Sequence, residues 1–212
     1  MKKLTTIILS TAVAVSMVAC TSTNNLVDYD GVLSTGELKQ LNYPLADTVL
    51  KYSMEGMKDW ELTSEMDYLG EKISKNLADE ATVLQMGQGV LVSFDRGDMY
   101  KSGQYRMTDE MENAARDLAF SLKNNPETYA VFFGRTDAIG SADFNDKLGY
   151  VRAAVVANYM TKLGVDKDRL FVQSYGEKYP DFFNYYPEGR DRNRRVDVLI
   201  IPGNQMRTES AR

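Results

Sequence analysis

The chain of 212 residues contains no histidine, one cysteine and one tryptophan. Because histidine is missing, Ser–His and Cys–His catalytic machinery and metal sites built on imidazole are excluded. Cys20 has no partner for a disulfide within the chain. Paired carboxylates such as Asp137 and Asp143 leave a glycosidase mechanism open in principle, but a calcium site would need more oxygen ligands than their loop offers. We therefore expect neither a metal nor a cofactor.

The N-terminus has the order of segments found in an export signal. Met1-Lys2-Lys3 is positively charged, and the apolar stretch from Leu4 to Val15 is too short to span a bilayer. The residues Met17-Val18-Ala19-Cys20 resemble a bacterial lipobox. We predict that residues 1–19 are a lipoprotein signal peptide and that Cys20 is lipidated; an ordinary signal peptide with a chance cysteine is the alternative. The likeness to lipoproteins, with Thr21 after the cysteine, favours an outer-membrane anchor facing the periplasm.

Acidic residues outnumber basic ones, and the formal net charge is −5. Removal of residues 1–19 takes away two lysines and leaves a net charge of −7. A chain this acidic is expected to avoid nucleic acid and anionic lipid as main partners. The one basic run, Gly189 to Arg195, is typical of a nucleic-acid patch or of a solvated turn whose arginines pack on neighbouring structure. The acidic total favours the turn.

The mature chain divides into a tether, a helical segment, a larger domain and a tail. Residues 20–44 are polar and are predicted to be a lipidated tether, and residues 45–80 an accessory helical segment. Apolar residues in this segment recur as one helical stripe: Leu62, Met66, Leu69, Ile73 and Leu77. We expect the stripe to pack on the domain at 81–202; a helix for a partner or for self-association is the alternative. Residues 203–212 are predicted to be a flexible tail.

Strand and helix signals alternate through residues 81–202. The predicted elements are a hairpin over 81–94, helices over 108–124 and 142–163, and strands over 129–133, 169–175 and 195–201. The apolar run at 129–133 has no polar face, which is typical of a central strand. The order β-α-β-α-β-β predicts an α+β fold, a two-layer sandwich with helices on one face of a mixed sheet.

A Gly-punctuated loop joins the central strand to the second helix and contains the most informative charges. Asp137 lies in this loop, and Arg152 lies about two turns into the helix. A cation near a helix N-terminus opposes the helix dipole, so Arg152 should meet an anion. The two charges suit a zwitterion whose ammonium meets the Asp and whose carboxylate meets the Arg fork. They are equally able to pair with each other as a structural ion pair.

Four ordered motifs resemble the OmpA-like peptidoglycan-binding domain, over roughly residues 83 to 201. They are T-D-x-x-G at 136–140, N-x-x-L-x-x-x-R-A at 145–153, Y-G-E at 175–177 and G-R-x-x-N-R-R-V at 189–196. The resemblance implies that Asp137 and Arg152 bind the diaminopimelate residue of the peptidoglycan stem peptide. It also implies a set of residues that shape the site or anchor its helix: Gly134, Thr136, Gly140, Asn145 and Leu148.

The chain departs from the family pattern where that pattern has F-D-x-[DN] before the first helix. We align Tyr100-Lys101-Ser102-Gly103 there, so that Lys101 replaces an acid and Gly103 a site-lining side chain. Gly149 stands where the family commonly has serine. These departures predict a lower affinity or a different preferred stem peptide, with Lys101 and Gly103 shaping the site.

Aromatic residues crowd the loop before the basic run: Tyr179, Phe182, Phe183, Tyr185 and Tyr186. They are able to stack on sugars or on a partner, or to fold back and close the edge of the domain, which we favour slightly.

The sequence as a whole favours a non-catalytic outer-membrane lipoprotein that links the membrane to peptidoglycan through the stem peptide. The alternative is an OmpA-like assembly subunit that docks envelope protein partners and binds the wall weakly. A carbohydrate hydrolase is a third reading.

Overall fold

A computed structural model of the chain describes residues 39–40, 60–96 and 99–210. Four predicted features lie outside the described residues: the signal peptide, the proposed lipidation site Cys20, most of the tether and residues 45–59 of the accessory segment. Within the described ranges, no helix combines the length and apolar character needed to cross a bilayer.

The sheet has six strands in the order β1-β5-β4-β6-β3-β2. The strands are β1 (Lys39–Gln40), β2 (Thr82–Met86), β3 (Gly89–Ser93), β4 (Thr128–Arg135), β5 (Leu170–Gly176) and β6 (Val196–Pro202). β5 is parallel to β4 and β1, whereas β6 is antiparallel to both β4 and β3. The predicted mixed sheet and the central position of β4 are therefore confirmed.

Three longer helices cover one face of this sheet. They are α1 (Trp60–Asn76), α2 (Asp109–Asn124) and α3 (Ala142–Lys162), followed in the chain by the short helices α4 (Pro187–Asn193) and α5 (Asn204–Ser210). The stripe of α1 is buried in the same core cluster as α2, α3 and alternate residues of the strands. The predicted packing of this stripe on the following domain is confirmed. A second cluster, Val131, Phe133, Leu199 and Ile201, occupies the other face of the sheet.

Local sequence sets the ends of α2 and α3. The side chains of Thr108 and Ser141 accept hydrogen bonds from the backbone N–H three residues later, which caps each helix. At the end of α3, Gly164 N–H donates to Thr161 C=O and Val165 N–H to Met160 C=O. With φ of 93° at Gly164, this is the predicted Schellman ending.

Three sequence expectations are corrected by the structure. Lys39–Gln40 belong to the predicted tether but pair with Phe171 and Val172 of β5, whose outer edge offers unpaired backbone groups. The tail expected to be flexible contains α5, because Met206 is buried in the core cluster that includes α1. The turn expected at 189–195 is mostly the helix α4, which begins with Pro187.

Candidate ligand-binding site

The loop 136–141 leads from the end of β4 into α3 and holds Asp137. Thr136 N–H donates to Gly176 C=O (2.8 Å), which ties the loop to the end of β5. Gly140 has φ of 115°, a conformation that favours glycine. The Asp137 side chain accepts from the N–H of Ile139 at 3.1 Å, the short-range bond of an Asx turn. Asp137 is 4% exposed, so its charge is held in a largely dry position.

Arg152 lies on α3 and is fully buried. Its guanidinium donates to the carbonyls of Gln104 (2.8 Å), Arg135 (2.8 Å) and Lys101 (3.5 Å). The ring of Tyr100 lies 4.7 Å from the guanidinium carbon, within range of a cation–π contact. Arg152 therefore joins its own helix α3 to the end of β4 and to the segment 101–104, and it places a positive charge beneath the site.

A second arginine, Arg194, contacts Asp137. The Arg194 guanidinium lies 3.2 Å from the Asp137 carboxylate, donates to the carbonyl of Tyr100 at 2.6 Å and also pairs with Asp191. Arg194 and Arg195 are buried, so the expectation of a solvated turn is wrong for them. Packing on neighbouring structure is confirmed, since Arg195 pairs with Asp197 and Asp181. The Arg194-Arg195 pair of the G-R-x-x-N-R-R-V motif was the available sequence signal.

Several buried polar groups surround the two arginines. Burial raises the pKa of Tyr100 well above its ordinary value, and the charge of Arg152 partly opposes that rise. Five buried side-chain oxygens have no hydrogen-bond partner among the described residues, and three of them belong to the motifs or contacts described above: those of Tyr100 and Thr136, and Oδ1 of Asn145. Asn145 Nδ2 donates to Glu177, a residue of the Y-G-E motif. Unpartnered buried polar atoms are uncommon in folded proteins, so each of these three calls for a specific explanation.

The other predicted site residues are structural neighbours of this centre. A Cβ at Gly134 would lie 1.7 Å from the carbonyl oxygen of Gly149, so both glycines allow α3 to press onto β4. Leu148 is buried beside them. Lys101 and Gly103 have exposed positions, and the contact of Lys101 with the site is made by its carbonyl.

Two further features were missed or misjudged from the sequence. Asp95, two residues after the end of β3, is buried; its carboxylate pairs with Arg192 (3.1 Å) and accepts a hydrogen bond from Thr82 (2.8 Å). Its position after an apolar strand was the sequence signal that could have identified it. Among the five aromatic side chains of the loop before the basic run, only Phe182 is half-buried; its ring centroid lies 3.6 Å from the guanidinium carbon of Arg192. The remaining four aromatic side chains are exposed, so the expectation that they fold back is wrong: Tyr179, Phe183, Tyr185 and Tyr186.

No group of three or more His, Cys, Asp or Glu side chains suited to a metal ion occurs in the part of the chain that the structure describes. Asp137 and Arg194 form a buried ion pair at this strand–loop–helix junction, and Arg152 is buried on the adjoining helix α3. The fold and this junction define an α+β domain with a buried charged site at the end of its central strand β4.

Comparison with known proteins points to one family over part of the chain. Residues 99–194 match the model of the OmpA family. The chain is 29% identical over 121 residues to "Probable lipoprotein YiaD" of Escherichia coli K12, covering 57% of this chain and 55% of that protein. It is 36% identical over 83 residues to "Peptidoglycan-binding protein ArfA" of Mycobacterium tuberculosis H37Rv, covering 39% and 26%.

A solved structure of a MotB-like protein from Desulfovibrio vulgaris has the same fold. The TM-score is 0.59 at 18% identity, and the match covers 68% of this chain and 95% of that one. The match to this solved structure therefore establishes the OmpA-like α+β fold. The chain spans about half the length of the first curated relatives it matches.

Proposed function

We propose that this protein is an outer-membrane lipoprotein that binds peptidoglycan without catalysis and so links the membrane to the cell wall. Its C-terminal domain takes the diaminopimelate residue of the stem peptide at the junction of β4 and α3. Asp137 meets the ammonium group of that residue, and Arg152 meets its carboxylate. The observation that carries the proposal is the buried Asp137, which is paired with the buried Arg194 in a loop matching the OmpA family and leading into the helix of the buried Arg152.

Burial supports a binding role for these charges. Opposite charges attract more strongly where water is excluded than at an exposed surface. The Asp137 carboxylate has lone pairs beyond those used by Ile139 and Arg194, since an ionised carboxylate offers about four acceptor positions. An ammonium group brings donors only, so it suits this carboxylate and the unpartnered oxygens of Thr136 and Asn145.

The route of a carboxylate to Arg152 follows from the hydrogen bonds of its guanidinium. The contact with Lys101 C=O, at 3.5 Å, is at the limit of a hydrogen bond, whereas those with Gln104 and Arg135 are 2.8 Å. A ligand carboxylate would displace this long contact at least cost and replace it with a charge-assisted one. The ligand therefore enters beside Lys101, which agrees with the site-shaping position proposed for Lys101 and Gly103.

Membrane attachment completes the proposed link. Lipidated Cys20 would anchor the chain in the outer membrane, and the tether would let the domain reach the wall from the periplasmic side. The relative from Escherichia coli is named a lipoprotein, and relatives from Bordetella avium and Pseudomonas aeruginosa are named outer membrane proteins. These names support an envelope location.

The test is binding of full-length protein to a diaminopimelate-containing muropeptide, with Asp137→Asn as the variant. Removing one partner of a desolvated charge contact costs about 2–5 kcal/mol, so affinity should fall by roughly 30-fold or more. Asp143→Asn is the matched control, because it makes the same charge change on an exposed first-turn residue of α3. Equal binding by wild type and Asp137→Asn, with both folded by circular dichroism, would make Asp137 a structural residue only.

Docking of envelope proteins is a second candidate function. It is favoured by exposed aromatic side chains on the helical layer, namely Trp60 and Tyr68 of α1 and Phe120 of α2. A pulldown with immobilised muropeptide separates the two functions, since a pure docking subunit would not be retained.

A further inference from the structure

The segment between β5 and α4, residues 177–186, is here named the aromatic loop. Its side chains Tyr179, Phe183, Tyr185 and Tyr186 are 77%, 82%, 84% and 58% exposed. Among the described residues, eleven large hydrophobic side chains are exposed, and six of them lie at 139–144 or 179–186, on either side of the site. Clustered exposed apolar surface of this kind marks a binding region more often than scattered single residues do.

Hydrogen bonds hold the aromatic loop and join it to the loop of Asp137. Asn184 Oδ1 accepts from the N–H of Ala138 (3.3 Å) and from Asn193 Nδ2 (3.0 Å). Arg190 donates to the carbonyls of Asn184 (3.0 Å) and Tyr185 (3.1 Å). The exposed rings therefore lie on a loop that is held by hydrogen bonds, and this loop contacts Ala138, the residue after Asp137.

The backbone of the aromatic loop is held in an unusual conformation. Tyr179 has φ of 54°, a left-handed value that is rare for a bulky residue and costs free energy. Arg135 of β4 donates to the Tyr179 carbonyl at 2.8 Å, and the Tyr179 ring meets Tyr175 edge-on at 6.3 Å. Gly189 is required for this arrangement, since a Cβ there would lie 2.1 Å from the carbonyl oxygen of Phe183. The strained turn directs the loop beside the site.

We propose that the aromatic loop is a subsite for the glycan strand of peptidoglycan, on which its rings stack against the apolar faces of the amino sugars. The inference rests on the proposed function, because the stem peptide bound at Asp137 is covalently attached to such a sugar. Tyr and Phe rings provide large, rigid contact area with little loss of conformational entropy. Two exposed acids are close to the rings in the sequence: Asp181, which also pairs with Arg195, and Glu188 in the first turn of α4. Their carboxylate oxygens suit the hydroxyl and N-acetyl N–H groups of a sugar as acceptors.

A pair of ligands tests this subsite: a disaccharide–tetrapeptide muropeptide, and the same tetrapeptide without sugars. Each is titrated into full-length wild type and into Tyr185→Ala/Tyr186→Ala, whose two rings pack edge-on at 5.1 Å. We expect the double variant to bind the sugar-bearing ligand about tenfold more weakly and to bind the free tetrapeptide as wild type does. Tyr185→Phe/Tyr186→Phe keeps the rings and should keep most of the affinity. Phe120→Ala removes an equally exposed ring on α2 and should change neither titration.

The outcomes separate this inference from the proposed function. Unchanged affinity of the double alanine variant for the sugar-bearing ligand would overturn the glycan subsite and leave stem-peptide binding standing. An equal loss for both ligands would assign the loop to the peptide, which also overturns it. Should the variant instead lose only the capture of an envelope protein, the loop is a protein-docking surface. If wild type binds neither ligand, the proposed function fails, and the subsite fails with it.

Discussion

At the scale of single residues, the site depends on how buried charges are matched. The Asp137 carboxylate is 3.2 Å from Arg194, a residue far along the chain, while Arg152 is bound to backbone carbonyls. Arg194 and Arg152 therefore have two roles, since their hydrogen bonds hold the backbone around the loop of Asp137 and their charges make the electrostatic potential there more positive. A variant that removes Arg152 would leave buried carbonyls without their donor, so loss of binding in Arg152→Ala must be measured together with stability.

Lys101 gives a residue-scale prediction about ligand preference. Its ammonium is exposed beside the proposed entry of the ligand carboxylate, where it would attract the additional carboxylates of a non-amidated stem peptide. An exposed ion pair contributes under about 1 kcal/mol. Lys101→Ala should therefore lower affinity for non-amidated muropeptide by up to about fivefold at low salt, with a smaller effect at moderate salt.

The control for Lys101 is Lys147→Ala, which removes an exposed lysine from α3. Titrations with amidated and non-amidated muropeptide make the comparison. Equal affinity of wild type for both ligands would show that Lys101 is a solvated surface residue and that its departure from the family pattern has no effect on binding.

At the scale of elements, the approach of α3 to β4 predicts a large steric effect at Gly134. Its added Cβ would lie 1.7 Å from the backbone oxygen of Gly149, and backbone yields less readily than a side chain. Gly134→Ala should lower the free energy of unfolding by about 3 kcal/mol or prevent folding. Gly103→Ala is the comparison, because its φ of 68° carries a cost of about 1 kcal/mol in a position with nothing within 4 Å. Urea unfolding with similar losses for both would contradict the packing argument.

The junction between α2 and β4 depends on Arg169. Its guanidinium donates to the carbonyls of Leu122, Asn125 and Thr128 at 2.8–2.9 Å, and burial lowers its pKa, opposed by Asp166 and Glu127. Arg169→Met would leave these acceptors without their donor. We expect a loss of about 3 kcal/mol in thermal or urea unfolding. Arg116→Met, an exposed change on α2, should cost under about 0.5 kcal/mol; equal losses in the two variants would show that Arg169 is dispensable.

At the scale of the whole molecule, the proposed link requires an anchor at one end and a binding domain at the other. Each buried CH₂ of an acyl chain contributes about 0.8 kcal/mol to membrane attachment, so loss of the acyl chains should release the protein from the membrane. Cys20→Ala should accumulate as an unprocessed or mislocalised precursor in membrane fractionation, while retaining binding to isolated sacculi. Cys20→Ala that is processed and anchored like wild type would refute lipidation at this residue.

Much of the fold was predictable because its signals are local. The stripe of α1, the caps Thr108 and Ser141 and the apolar run of β4 each follow from residues within a few positions of one another. Predicted ends of elements agree with the structure to within a few residues. The strand–loop–helix position of Asp137 and Arg152 was equally predictable, whereas their roles toward a ligand are still predictions.

Other features were decided by contacts between distant segments. No local pattern indicates that β1 pairs with β5, or that Met206 enters the core and orders α5. The acidic net charge indicates that carboxylates are available to pair with the arginines at 189–195, but only the fold shows that Arg195 pairs with Asp181 and Asp197. Burial of such charges requires partners that the linear sequence does not reveal.

The sequence alone therefore determined the order of strands β2 to β6 and helices α1 to α3, and the loop that carries Asp137, since periodicity, caps and glycines act over short distances. The tertiary structure decided that Arg194 is the partner of Asp137, that Arg152 is fully buried beneath Tyr100, and that the rings of the aromatic loop face solvent. Those outcomes depend on which segments meet in space, because a charge or an aromatic ring has the same local pattern whether it is buried or exposed.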